Sequence, residues 1–190
     1  MGKWHILYGK GFRDLSIKDN KAAFIHWRGM LLRCYCESYL KQGPTYRECS
    51  VCDEWLLFSN FVKWFNEQLY LPEENMTLDK DIIFKGNKLY SPFTCCMVPS
   101  KINQLFTKSN KRRGDLPIGV TRHRKMFAAR ANIGRFVSLG HFSTPEAAFN
   151  AYKEAKEQYV KELAEKYYKE GKITERVYNA LLSYRVEITD

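Results

Sequence analysis

The stretch KSNKRRGDLP, residues 108–117, most constrains how this chain can fold. It is polar, basic and free of aliphatic side chains until Leu116, so it has almost nothing to contribute to a core. It reads as a linker or a phosphate-binding arm, and it divides the chain of 190 residues in two. The domains are therefore expected at 1–107 and 118–190, joined by a basic linker at 108–117. A hydrophobic content of 45%, with 15% aromatics, excludes a disordered chain and leaves enough apolar surface for real cores.

The charge sharpens this division. Residues 1–100 hold 13 Lys and Arg against 11 Asp and Glu, and residues 136–190 hold 8 against 9. The window 101–135 holds 10 against Asp115 alone, so nearly all of the net +10 is concentrated there. A charge run is most often a solvated face. A run this dense, in a segment that also alternates like strands, points to a surface that meets phosphates. Double-stranded DNA is the expected partner. Arg112, Arg113, Arg122, Arg124, Lys125, Arg130, Asn132 and Arg135 are the expected contact residues.

The periodicity gives an α+β chain. Residues 1–16 read as irregular. Phe24, Trp27, Leu31 and Tyr35 recur at helical spacing and place an amphipathic helix over about 17–39. A second apolar face, Phe58, Phe61, Val62 and Phe65, marks a helix over about 58–69. Residues 76–96 read as short extended pieces around Gly86-Asn87, and a short helix is expected over 100–106. After the linker come three strand-like segments, 119–123, 126–133 and 136–142, with a turn at 132–135. Ser143 or Thr144 then caps a helix with Pro145 in its first turn, ended by Gly171. A last short helix is expected over 174–182.

Two resemblances follow from particular residues. The first rests on Gly119-Val120 with Arg122 and Arg124, Phe127-Ala128-Ala129, Leu139-Gly140, Phe142, Thr144, Glu146-Ala147-Ala148 and Ala151-Tyr152. This string resembles the ethylene-response-factor-type DNA-binding domain of plant transcription factors, which also occurs in phage and mobile-element proteins. The resemblance implies a three-stranded antiparallel sheet packed on a long helix, with the sheet in the DNA major groove. The alternation of the second strand turns Phe127, Ala129 and Ala131 toward the helix. It sends Arg130 and Asn132 the other way, where Arg122 and Arg124 are expected beside them. Arg suits guanine edges and Asn suits adenine. The plant proteins carry a tryptophan near Ser138 that this chain lacks.

The second rests on Trp27, Met30, Arg33-Cys34-Tyr35, Tyr46, Val51-Cys52-Asp53-Glu54-Trp55, Phe58, Asn60-Phe61, Leu78-Asp79-Lys80-Asp81, Gly86-Asn87, Tyr90-Ser91-Pro92 and Cys95. In this order they resemble phage HNH homing endonucleases, which implies a ββα-metal module that hydrolyses DNA phosphodiesters with one divalent ion. Asp79 falls where that family binds its metal. Lys80 stands where the His base would be, and Thr94 stands where an Asn would open the finger helix. Asp81 or Asn87 could substitute, and Asp79 with Asp81 could hold Mg2+ or Mn2+ through oxygens. A lysine is protonated at neutral pH unless desolvated, so Lys80 is expected to be a poor base and a reasonable phosphate clamp. The implied catalytic set is thus Asp79, Lys80, Asp81 and Asn87. The other reading is a catalytically degenerate HNH-fold regulator that only binds DNA, or an inhibitor that contacts a host protein through the same scaffold. His26 beside a helix face is expected to be structural.

Cys49 and Cys52 have the spacing of half a zinc site, which Cys34 and Cys95 could complete. Buried thiols are the favoured reading, because the second half of a zinc site would be the adjacent Cys95 and Cys96. No apolar run approaches the roughly 18 residues that cross a bilayer, and the N-terminus lacks a signal-peptide pattern. A cytoplasmic protein is expected, in the host cell if the gene is a phage's.

Overall fold

The computed structural model describes residues 5–42, 44–106 and 115–190. The chain forms two compact units, Met1–Asn103 and Gln104–Asp190. The division falls ahead of the expected linker because Phe106 already belongs to the second unit, where its ring meets Tyr184 at 4.8 Å. Arg112 and Arg113 lie outside the described residues.

The first unit opens with a hairpin, β1 (His5–Leu7) and β2 (Gly11–Arg13), where an irregular segment was expected. Tyr8 and Gly9 turn it with φ of 51° and 70°. Gly11 is required there, since a Cβ would run into Leu31 and Trp27. The expected long helix is two helices, α1 (Lys21–Tyr35) and α2 (Glu37–Gln42). Cys36, with ψ of 109°, breaks the ladder between them. The buried stripe of α1 is Ala23, Trp27, Met30, Leu31 and Cys34, while Phe24 and Tyr35 are only half-buried.

Next come β3 (Ser50–Val51), α3 (Asp53–Leu56) and α4 (Phe58–Asn66). The α4 helix buries Phe58, Phe61, Val62, Trp64 and Phe65. This core is largely aromatic. Trp27 and Phe58 have ring centroids 4.9 Å apart, and Trp55 and Trp64 are 4.5 Å apart. The Trp27 indole N–H donates to the carbonyl of Trp55 at 2.7 Å and ties α1 to α3.

Three strands and a short helix close the unit: β4 (Met76–Asp79), β5 (Leu89–Tyr90), β6 (Cys96–Pro99) and α5 (Ser100–Gln104). The β4 and β6 strands pair antiparallel, with Asp79 opposite Cys96, and β5 pairs parallel to β3. Where the HNH likeness puts the start of a finger helix, at Thr94, the chain turns and enters β6. The helix that follows is only five residues long.

The second unit has the expected architecture. The strands β7 (Val120–His123), β8 (Met126–Asn132) and β9 (Phe136–Phe142) form one antiparallel sheet in the order β7-β8-β9. The helix α6 (Pro145–Lys169) crosses all three strands, and α7 (Glu175–Ser183) packs on α6. Thr144 caps α6 through a bond from the Ala147 N–H at 3.2 Å, with Pro145 at the first position. Val120, Ala129, Ala131, Ala148, Phe149 and Tyr152 form the sheet–helix core. Gly119 (φ 78°) is obligatory, because the Tyr152 ring occupies the space a Cβ would need. Among the described residues no helix is long and apolar enough to cross a membrane.

Candidate functional sites on the β4–β5 loop and the sheet face

The residues expected to form a nuclease centre do come together, in the loop after β4, but they bind one another. Asp79 is buried, and its Oδ1 accepts the backbone N–H groups of Asp81 and Ile82, both at 2.7 Å. Burial pushes its carboxyl above the usual range, and those two N–H groups oppose the shift. The side chain of Lys80 is only 7% exposed. Its Nζ donates to Asp81 Oδ2 at 2.7 Å and to the Asn87 carbonyl at 2.6 Å. The Asn87 amide donates in turn to the carbonyls of Lys80 and Leu89, at 3.0 and 2.7 Å. Thr94 donates its hydroxyl to the Leu89 carbonyl at 2.6 Å.

The physical sense of this network is loop closure. Residues 80–88 have no regular ladder, so side chains supply partners for the backbone. The ammonium of Lys80 needs compensation because it is buried, and one carboxylate and one carbonyl provide it. Asp79 is thus held through one oxygen by backbone N–H groups, and Asp81 through one oxygen by an ammonium. Among the described residues no group of three or more His, Cys, Asp or Glu could hold a metal ion.

A neighbour that sequence reading missed is Arg33, on α1. Its Nε donates to the Tyr90 hydroxyl at 3.0 Å, and its guanidinium carbon lies 5.5 Å from the centre of the Tyr90 ring. Lys80 Nζ lies 5.9 Å from the same ring. Burial pushes the Tyr90 phenol well up, so it stays neutral as the acceptor for Arg33. No local pattern signals this contact, because it joins residues 57 apart. His26 stacks on Phe65 at 5.7 Å and meets Tyr70 edge-on. Burial, and then Arg33, lower its pKa to about 4.

All four candidate zinc thiols are free, and Cys34, Cys49 and Cys95 are buried while Cys52 is partly so. Burial pushes Cys34 and Cys95 up to about 12 and raises Cys49 and Cys52.

The sheet of the second unit has an exposed outer face, away from α6. Residues opposite each other across antiparallel strands share a face, and alternate residues along a strand switch faces. Val120 and Ala129 are paired and both buried, and on the same inner face the buried Ala131 pairs with the half-buried Val137. The outer face therefore carries Thr121, His123, Met126, Ala128, Arg130, Asn132, Phe136, Ser138 and His141.

This corrects one expectation. Arg122 is opposite Phe127, so it lies on the inner side at the end of β7, with its guanidinium carbon 5.0 Å from the Phe127 ring centre. Arg124, with φ of 55°, and Lys125 form the turn between β7 and β8, so Arg124 is a turn residue and not a strand neighbour of Arg130. Arg135 lies in the turn between β8 and β9. A bulge sets the outer register. Ala129 pairs with Gly140 but Arg130 pairs with Ser138, so Leu139 is the extra residue. It keeps Leu139 packed on the core while Ser138 and Arg130 face out.

Residues 118–143 contain no Asp or Glu. Among the described residues Arg122, Arg124, Lys125, Arg130 and Arg135 make no salt bridge. Phe136 stands 86% exposed on the same face. Comparison with known proteins identifies no matching family model, curated protein or solved structure.

Proposed function

We propose that this protein binds duplex DNA through the outer face of β7–β9 and its two hairpin turns, and that its first unit does not cut DNA. The observation that supports the binding reading is the charge of that face. Arg130 and Asn132 project from the middle strand, Arg124 and Lys125 stand at one end, and Arg135 stands at the other, with no acidic residue in the sheet. Such cations gain by displacing counterions from phosphates, and Arg130 and Asn132 have the donor geometry for base edges.

The HNH-like pieces of the first unit favour a phage or mobile-element setting. Its loop favours a catalytically degenerate member of that kind. A magnesium centre built on Asp79 and Asp81 would set the ion beside the Lys80 ammonium, a buried like charge already 2.7 Å from Asp81 Oδ2.

The test is one incubation read two ways. The protein is mixed with source-genome and plasmid DNA in Mg2+ or Mn2+, then run on a native gel and, after deproteinisation, on a denaturing gel. A salt-sensitive shift with uncut strands supports the proposal. Cuts that disappear in Asp79→Ala would establish the endonuclease reading instead.

A further inference from the structure

His123 and His141 stand on the two outer strands of the sheet, yet their rings meet, with centroids 4.6 Å apart and planes at 44°. Neighbouring strands lie about 4.8 Å apart, so β7 and β9 are separated by roughly twice that distance. The imidazoles must lean toward each other across β8. Ala128 makes this possible. It is opposite His141, and it sits on the outward face, yet it is 0% exposed. A larger side chain there would stand between the rings. Both histidines are themselves exposed.

We propose that this pair is a binding site for a divalent late transition-metal ion, Zn2+, Ni2+ or Cu2+, held by the two imidazoles. Neutral imidazole is a good ligand for these ions. With a metal–nitrogen distance of about 2.0–2.1 Å, two imidazoles on one ion place their ring centres roughly 5 Å apart, close to the separation found here. The strands contribute no carboxylate or thiol, so the remaining coordination positions belong to water and open outward. The ion would add positive charge to the face that carries Arg130 and Asn132. The site is independent of the DNA-binding reading and of the β4–β5 loop.

The test uses the full chain, titrated with Zn2+ at neutral pH while the histidine ring signals are followed by NMR, with Cu2+ electron paramagnetic resonance in parallel. The expected result is that one equivalent of Zn2+ moves the His123 and His141 signals together and leaves His5 and His26 in place. Nitrogen coupling in the copper spectrum is expected as well. His123→Asn and His141→Asn should each raise the apparent Kd about tenfold or more, as loss of one of two ligands requires. Both positions are exposed, so unchanged melting curves would confirm that these variants fold. Ala128→Leu keeps both imidazoles but fills the gap between them, and is expected to weaken binding similarly. Zinc or copper binding of the same strength in both Asn variants, or ring signals that stay fixed at saturating Zn2+, would overturn the proposal.

Discussion

Arg122 and Arg130 lie on opposite faces of one sheet. The pairing of Arg122 with Phe127, and of Arg130 with Ser138, separates two arginines that composition alone would group. Arg122 sits over the Phe127 ring, a contact typically worth about 0.5–1 kcal/mol at an exposed site. Arg122→Ala is expected to lower stability by about that amount in urea unfolding. Arg130→Ala, whose side chain projects to solvent, is expected to stay within about 0.5 kcal/mol of the parent.

Asp79 gives a pH prediction with a definite sign. Burial raises its folded-state pKa above the ordinary carboxylate value. Its contribution to stability is therefore fully present in acid, below the unfolded pKa, and is lost as pH rises through the folded pKa. Asp79→Asn keeps an oxygen to accept the Asp81 and Ile82 N–H groups and has no ionisation to suffer. The stability of Asp79→Asn relative to the parent should rise from acid pH toward neutrality, measured as chemical-denaturation midpoints at several pH values. A relative stability that falls over that range would contradict the assignment.

The cysteines should divide by reactivity. The thiol of Cys36 lies 3.2 Å from the Ser38 hydroxyl, and that hydrogen bond is the main cause of its lowered pKa. Cys34 and Cys95 are buried and pushed up to about 12. In the native protein at neutral pH a thiol reagent should modify Cys36 first, with Cys34 and Cys95 reacting only on unfolding. Ser38→Ala should slow the first phase. Peptide mapping after brief labelling reads this directly.

The two tryptophans that meet between α1 and α3 should not be equivalent. Trp27 donates its indole N–H to the Trp55 carbonyl, whereas the Trp55 indole N–H is buried with no partner among the described residues. Both Phe variants open a comparable gap. Only Trp27→Phe also removes a buried hydrogen bond, and Trp55→Phe removes an unpaired donor. Trp27→Phe should therefore be the more destabilised, by about 1 kcal/mol or more in equilibrium unfolding.

The parts of this architecture that were legible in sequence are those set by local chemistry. Thr144-Pro145 marks the start of α6, and alternation from Phe127 to Ile133 marks β8. Strict parity would also have placed Arg122, since it is two residues from the buried Val120 and must share its side. Positive charge drew it to the wrong face. The β1–β2 hairpin was hidden because three-residue strands carry no visible alternation. The loop site was legible only as a set of residues. That Lys80 would grip Asp81 and reach the Asn87 carbonyl depends on how the chain folds back, as does the contact between Arg33 and Tyr90. The meeting of His123 and His141 needed both the strand order and the size of Ala128.

The DNA-binding role of the outer face is best measured by fluorescence anisotropy of a labelled duplex, titrated across a salt series with the parent protein, Arg130→Ala and Arg122→Ala. The parent is expected to bind with an affinity that falls as salt rises. Arg130→Ala should lose about tenfold in affinity, with a salt slope smaller by about 1. Arg122→Ala should lose clearly less than Arg130→Ala. Affinity and slope unchanged in Arg130→Ala, or a larger loss in Arg122→Ala, would contradict the claim that the outer face of this sheet is the DNA-binding surface.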